Sequence, residues 1–400
     1  MDLFIDRASK PVIAPQANCP WAEAMVLNPA ILADPNSSRI HMLFRASGPF
    51  SHKRGDYAQD PYPIFLGYAW SDDSGRTWEA DFSRPALAPR LAERMEDMYI
   101  TNRDGQQVFN HCNGYVEDPR LCWLEEKLYL TVACRMFPPG AYFNNWVHLV
   151  CAPDWVREGN HPFGMAASEN RTVSVLFEVD LDALAARRYE DAFTYVCPLT
   201  DANLEDNRDV VLFPEKLRIH GREQYVLIHR PRVPQPFLPN EKETRPSSLI
   251  TAADDLCQLQ SDKIEHRMLA RPLFDWEDEK TGASSPPIRI GKDEWLLPFH
   301  GKKDGKTGYT QSFMILREQD DDFPIVAHRC PERVLYAKQE WELGGLLAAP
   351  CIFTCGAIRV GDELLMSYGV ADTYVGVART NFADLLTLIR KYDAEGKAVE

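Results

Sequence analysis

Strand-length runs of apolar and aromatic residues recur from one end of this 400-residue chain to the other. Arg39–Arg45, Ile64–Trp70, Lys127–Cys134, Val147–Cys151, Gln224–His229, Glu294–His300 and Glu363–Tyr368 are rich in β-branched or aromatic residues and are bounded by Gly, Pro, Asn or Asp. Side chains of that shape fit a pleated, half-buried surface and the bounding residues favour turns, so the runs predict strands. Their rhythm constrains the fold further. A polar or proline-containing entry, a turn such as Glu125-Glu126, His220-Gly221 or Gly361-Asp362, and a hydrophobic strand recur in units that begin near residues 25, 115, 207, 284 and 348. The spacings of 90, 92, 77 and 64 residues hold four strands each plus loops. Such units fit an all-β, five-bladed β-propeller better than a sandwich. Ser71–Trp78 reads as a tight turn between strands. Helical spacing of apolar residues is confined to Asp180–Arg188 and Asn381–Lys391, each opened by a capping Asp or Asn, which predicts a few peripheral helices. No composition break or flexible linker divides the chain, so residues 1–400 are expected to form a single domain.

With 45% hydrophobic and 26% charged residues, the chain has the make-up of a globular protein with a sizeable core. Its 59 acidic and 44 basic residues give a net charge of −15, which argues against nucleic acid or an anionic membrane as partner. Any anion site must therefore be local. No apolar stretch is long enough to span a membrane, and Met1–Arg7 lacks a basic segment followed by an apolar one, so a cytoplasmic enzyme is expected. The ten cysteines show no CxxC and no dense framework, and are expected to be mostly buried thiols. Cys351 and Cys355 have no matching Cys/His pair nearby, so no metal is predicted.

Chemistry concentrates in three motifs. Glu117-Asp118-Pro119-Arg120 places two carboxylates beside a proline-stiffened bend at the mouth of a strand. Proline disfavours a helical predecessor, so Asp118 is expected to be extended. Strand neighbours point to opposite faces, so only one carboxylate faces a central cavity unless the backbone bends. Asp118 is assigned to the cavity, with Glu117 or Arg120 bracing the turn. Phe213-Pro-Glu-Lys216 and His229-Arg-Pro231, preceded by Arg208, add cations at later strand ends. Each cation alone reads as a solvated surface charge, but together they read as a shared anion pocket, Arg as a planar fork and Lys as a point charge.

In their order along the chain, Asn28-Pro-Ala30, Phe44-Arg-Ala46, Val116–Arg120, Phe213–Lys216, His229–Pro231, Lys280–Ile288, Trp295–Gly301, Tyr336–Gly344 and Tyr368–Ala378 resemble glycoside hydrolase family 130. This family comprises β-mannoside phosphorylases and related β-mannosidases. The resemblance implies a five-bladed propeller that cleaves β-mannosidic bonds with inversion. It makes Asp118 the proton donor, acting through a sugar hydroxyl. Asn28, Arg45 and Asp372 match motifs that line the mannosyl subsite. Lys216 and Arg230 match phosphate ligands; Arg135 joins them from its position just past the strand after Asp118, with Arg208 and His229 as second choices. His300 is read as a structural or substrate-contacting histidine rather than a base. Inorganic phosphate is the implied co-substrate, with no cofactor or metal, and a homo-oligomer is compatible with the family.

The chain departs from the family pattern in two places. Arg232–Pro246 forms a proline-rich insertion carrying Glu241 and Glu243, and Gly282-Ala-Ser-Ser-Pro286 replaces the usual Gly-Ala-Gly before the proline pair. A carboxylate near the pocket would repel phosphate and activate water, so Glu241 and Glu243 keep open an exo-acting inverting β-mannosidase. The favoured expectation is a phosphorylase. A non-catalytic sugar-binding propeller is disfavoured, since a binding site needs no acid facing cations. An arabinan- or fructan-active enzyme would need three separated acids, and the ordered motifs favour family 130.

Overall fold

Five antiparallel sheets of four or five strands follow one another along the chain in the computed structural model, which describes residues 3–4, 6–49, 63–92, 94–136, 171–305, 307–346 and 350–399. Blade 1 runs outward through Met25–Ala33, Ile40–Ser47, Phe65–Ser71 and Glu79–Asp81. Blade 2 is Tyr115–Leu124, Lys127–Arg135, Val173–Val179 and Phe193–Pro198. Blade 3 is Asn207–Leu212, Arg222–Pro231, Ser248–Ala253 and His266–Ala270, with Leu217–Ile219 also on its second strand. Blade 4 is Lys280–Ala283, Glu294–Lys303, Gly308–Gln319 and Asp322–Arg329. Blade 5 is Ile352–Val360, Glu363–Val370 and Tyr374–Asn381, completed by Asp6–Arg7 from the other end of the chain. The strand expected at Val147–Cys151 and the fifth unit's expected start near residue 348 lie outside the described residues.

Hydrophobic burial closes the ring. Alternate strand residues face the two neighbouring blades, so each seam fills with side chains from both sides. Leu43, Val116 and Leu130 meet between blades 1 and 2, and Leu176, Val210 and Leu227 between blades 2 and 3. Phe213 and Trp295 meet edge to face between blades 3 and 4; Phe313 and Tyr368 fill the next seam, and Phe44 and Leu365 the last. Arg7 locks the closing strand: its buried guanidinium pairs with Glu342 at 2.9 Å, and Tyr368 donates to the same carboxylate at 2.9 Å.

The turns are tight. Leu124 pairs directly with Lys127, leaving Glu125 and Glu126 as a two-residue loop with φ of 51° and 64°. His220 and Gly221 (φ 51° and 78°) repeat that geometry, which matches the twist of the flanking strands. Asp73 accepts from the backbone N–H of Arg76 and Thr77 within the Ser71–Trp78 turn. Helix α1 (Leu181–Ala185) is capped by Asp180, α2 (Tyr189–Ala192) follows it, and α3 (Phe382–Ile389) is capped by Asn381. The expectation of buried thiols needs one correction: Cys197 and Cys257 form a disulfide across the seam between blades 2 and 3, with Cα atoms 5.7 Å apart. Cys19, Cys112, Cys122, Cys134, Cys330, Cys351 and Cys355 are buried and free.

Candidate active site

Each of the first three blades breaks the pairing of its innermost strand near that strand's start. The register steps from Leu27↔Arg45 to Ala30↔Leu43 in blade 1, from Glu117↔Ala133 to Arg120↔Thr131 in blade 2, and from Arg208↔Arg230 to Val211↔Ile228 in blade 3. Three steps on one strand oppose two on the other, which is a β-bulge of one extra residue. The first unpaired residues are Asn28, Asp118 and Asp209, with φ of 47°, 51° and 52°. Asn and Asp are the non-glycine residues that best tolerate this left-handed conformation. The prolines after Asn28 and Asp118 have no N–H to leave unpaired at the bulge.

This geometry overturns the extended conformation expected for Asp118. The bulge, not the proline, sets its backbone, and the bend lets both members of the Glu117–Asp118 pair reach one cation. Arg45 Nη1 lies 2.8 Å from Glu117 Oε2 and 3.4 Å from Asp118 Oδ1. Asn28 Nδ2 donates to Asp118 Oδ1 at 2.8 Å. Glu117 is buried behind Asp118 and also meets Arg208 Nη1 at 3.4 Å, so it braces two arginines.

The bulges open into a cavity of about 470 Å³ at one end of the propeller axis. Its two halves differ in chemistry. Blades 1, 2 and 5 contribute Asn28, Arg45, Asp118 and Asp372. Asp372 has φ 51°; burial pushes its carboxyl up, Arg45 opposes that, and the nearby Asp118 and Glu117 reinforce it. The opposite half holds Arg208, Arg230 and Arg232 from blade 3 and its following loop, and Lys280 and Tyr309 from blade 4; Arg135 from blade 2 and Asp206 also line the cavity. Arg135 lies over the Tyr115 ring at 5.1 Å. Burial would raise the Asp206 carboxyl, but Arg208 and Arg135 hold it low. Lys280 Nζ donates to Tyr309 Oη at 3.0 Å, and burial together with Arg230 pulls the ammonium down to about 7.

Three residues assigned from the sequence lie elsewhere. Lys216 sits past the far end of the strand that starts beside the cavity, where it pairs with Glu125 at 2.7 Å and covers the Tyr225 ring. His229 precedes Arg230 on a strand, so the alternation that sends Arg230 into the cavity sends His229 to the opposite face. There it is buried, accepts from Asn207 Nδ2 at 2.8 Å and reaches His266 Nδ1 at 3.1 Å. His300 is buried behind the cavity wall rather than on its lining, with Nε2 3.3 Å from Asp209 Oδ2 and Nδ1 3.2 Å from Ser284 Oγ. It faces Asp209, not the open space.

Sequence reasoning missed Asp209, Lys280, Asp206, Arg232 and Tyr309 as lining residues. The strongest available signal was positional, since Asn28, Asp118 and Asp209 each sit just inside the start of an innermost strand. Glu241 and Glu243 also fall outside the cavity. Glu243 forms a 2.6 Å pair with Arg245, and Glu241 Oε1 accepts from the backbone N–H of Lys242 and Glu243 at 2.8 and 2.9 Å. Among the described residues, no group of three or more His, Cys, Asp or Glu is placed to hold a metal ion.

The five-bladed propeller thus sets an acid beside a cation-rich half-pocket, an arrangement that can donate a proton to a substrate and hold an anion next to it. Comparison with known proteins narrows this chemistry. The family described as beta-1,4-mannooligosaccharide phosphorylase matches residues 159–391, more than half of the chain, and the chain belongs to that family, glycoside hydrolase family 130. A 1,2-beta-oligomannan phosphorylase from Thermoanaerobacter sp. (strain X514) is 26% identical over 387 residues, covering 94% of this chain and 97% of that protein. A beta-1,4-mannooligosaccharide phosphorylase from Ruminococcus albus is 26% identical over 287 residues, covering 70% and 67%. The solved structure of a beta-1,2-mannobiose phosphorylase from Listeria innocua in complex with beta-1,2-mannobiose has the same fold, with a TM-score of 0.65 at 18% identity over 96% of this chain and 99% of that one.

Proposed function

We propose that this protein is an inverting β-mannoside phosphorylase that uses inorganic phosphate as co-substrate and releases mannose 1-phosphate. The observation that carries the reading is the division of the cavity, with Asp118, Asn28, Arg45 and Asp372 in one half and Arg208, Arg230 and Lys280 in the other. A mannosyl residue seated against Asn28, Arg45 and Asp372 has Asp118 beside it. Phosphate held by the cations approaches the anomeric carbon from the face opposite the departing oxygen. As the C1–O bond to the leaving sugar breaks and the C1–O bond to phosphate forms, the leaving oxygen takes the proton of Asp118, relayed through a sugar hydroxyl. A β-mannoside thereby gives α-mannose 1-phosphate. The cations neutralise phosphate before attack and hold it in line, so much of the rate comes from orientation.

The hydrolytic alternative needs a carboxylate placed to activate water on the face opposite the acid. Glu241 and Glu243, the glutamates that kept this alternative open, spend their carboxylates inside the insertion loop, which favours phosphorolysis. We place the enzyme in the cytoplasm, because its charged product is retained only on the side of a membrane where it forms. The synthetic direction tests the function. Supplied with α-mannose 1-phosphate and mannose or glucose as acceptor, the protein should release inorganic phosphate and build a disaccharide, and Asp118→Asn should slow this by at least ~100-fold. Inertness toward α-mannose 1-phosphate, together with phosphate-independent release of mannose from a β-mannobiose, would replace the phosphorylase with a hydrolase.

A further inference from the structure

Asp209 occupies the third of the equivalent bulges, and its carboxylate, though part of the cavity lining, is far less open than that of Asp118. It is 3% exposed and enclosed by groups from three blades. Arg230 Nε, from the second strand of its own blade, donates to Oδ2. Arg120 Nη2, from the innermost strand of blade 2, donates to Oδ1 at 3.2 Å. His300 Nε2, from blade 4, lies 3.3 Å from Oδ2. Burial alone would raise this carboxyl, but Arg230, His300 and Arg120 hold it well below the usual carboxylate range.

The two arginines reach different parts of the site. Arg120 donates through Nη1 to the backbone carbonyl of Asp118 at 3.0 Å and through Nε to the carbonyl of Ser284 at 3.1 Å, so the guanidinium holds the bulge that aims Asp118. Arg230 gives its Nε to Asp209 and lines the cavity. A planar guanidinium clamped at one edge has few orientations left, which fixes where its remaining N–H groups point. Gly282 makes room for the arrangement, because a Cβ there would lie 2.4 Å from Asp209 Oδ2 and 2.9 Å from His300 Cε1.

We infer that Asp209 is a positioning residue that couples the two halves of the site: one carboxylate orients Arg230 toward phosphate and, through Arg120, steadies the backbone that presents Asp118. This rests on the phosphorylase reading. A carboxylate used this way keeps its charge in the buried wall and leaves the cavity face of Arg230 to the anion, which explains how an anion site tolerates an aspartate beside it. Asn28 in the mannosyl half is linked to Asp209 through Asp118 and Arg120.

Asp209→Asn keeps the shape and removes the charge. With the wild-type enzyme turning over a β-mannobiose in a phosphate-dependent way, the variant should raise the KM for phosphate ~10-fold or more and lower kcat ~10–100-fold, the scale expected when reacting groups shift by a fraction of an ångström to one ångström. The KM for the mannoside should change far less, within about 2-fold, because Asn28, Arg45 and Asp372 are linked to Asp209 only indirectly, through Arg120 and the backbone of Asp118. Gly282→Ala supplies a second route: it crowds the carboxylate without altering any charge and should give the same selective loss of phosphate affinity, so the inference remains testable if Asp209→Asn fails to fold. Equal weakening for phosphate and mannoside in both variants, as a purely structural residue would give, overturns the inference, and so does an unchanged phosphate KM. Phosphate-independent turnover by the wild-type protein would instead overturn the phosphorylase reading, a different result in a different sample.

Discussion

Lys280 enters the cavity from the first residue of blade 4's innermost strand, where burial and the Arg230 charge bring its ammonium down to about 7. It is therefore charged below that pH and neutral above it, so the cavity loses a cation as pH rises through neutrality. The KM for phosphate should climb between about pH 7 and 8.5 more steeply than phosphate's own ionisation dictates. Lys280→Arg, whose guanidinium stays protonated throughout, should remove the extra climb. Matching pH profiles for the two proteins would show that Lys280 does not meet the anion. The same residue shows where sequence reading stops. Lys280 was visible as part of a motif, but nothing in a single strand says which side chain turns toward the axis. Lys216 and His229 failed for complementary reasons. Lys216 lies past the far end of a strand that carries the chain away from the cavity, and His229 falls on the wrong side of the two-residue alternation.

At the scale of single elements, the blade 2 hairpin carries a cost. Glu125 and Glu126 both adopt the left-handed conformation that the two-residue turn requires, and neither is a residue that favours it. Glu125 has partial compensation, accepting from Tyr225 Oη at 2.5 Å and pairing with Lys216 at 2.7 Å. Glu126→Gly should therefore stabilise the protein by ~0.5–1 kcal/mol, the left-handed penalty relieved less the extra chain entropy of glycine. Thermal or denaturant melting checks this, and a lower midpoint would mean that the turn is not strained. Strands and hairpins were legible because both depend on local residue type: the runs predicted at 39–45, 64–70, 127–134, 224–229, 294–300 and 363–368 differ from the observed strands by a few residues at most at either end. The bulges were not legible. Their left-handed residue is an Asn or Asp that serves equally well in a turn, and only the register of the neighbouring strand shows the added residue. The Cys197–Cys257 disulfide was hidden for a similar reason, since two cysteines separated by 60 residues meet only once blades 2 and 3 are side by side.

The whole molecule has a pH dependence of its own. Burial lowers the pKa of His41, His111, His229, His266 and His300, His111 to about 4. An unfolded chain protonates these rings near 6.5, the folded chain resists, and so the unfolded state binds more protons in between. Their contribution is complete above about pH 6.5 and is lost as pH falls toward the folded values. Asp209, held low, adds a further loss only below the ordinary carboxylate range. The melting temperature should thus fall steadily from pH 7 to 5, before carboxylates titrate, and a flat profile over that window would contradict the neutral, hydrogen-bonded histidines described above. The His229–His266 pair makes the mechanism concrete. Asn207 donates to His229 Nδ1, His229 then donates from Nε2 to His266, and His266 Nε2 faces the Ser261 carbonyl at 3.3 Å, leaving no acceptor for an added proton.

In the proposed reaction phosphate takes the place that water holds in a hydrolase. The most direct measurement follows a β-mannobiose with the purified protein by NMR, with and without inorganic phosphate. α-Mannose 1-phosphate that forms only when phosphate is present, with no free mannose in excess of the leaving sugar, is the predicted result. Release of two mannose molecules per disaccharide at a rate indifferent to phosphate would contradict it, and would require a carboxylate that activates water.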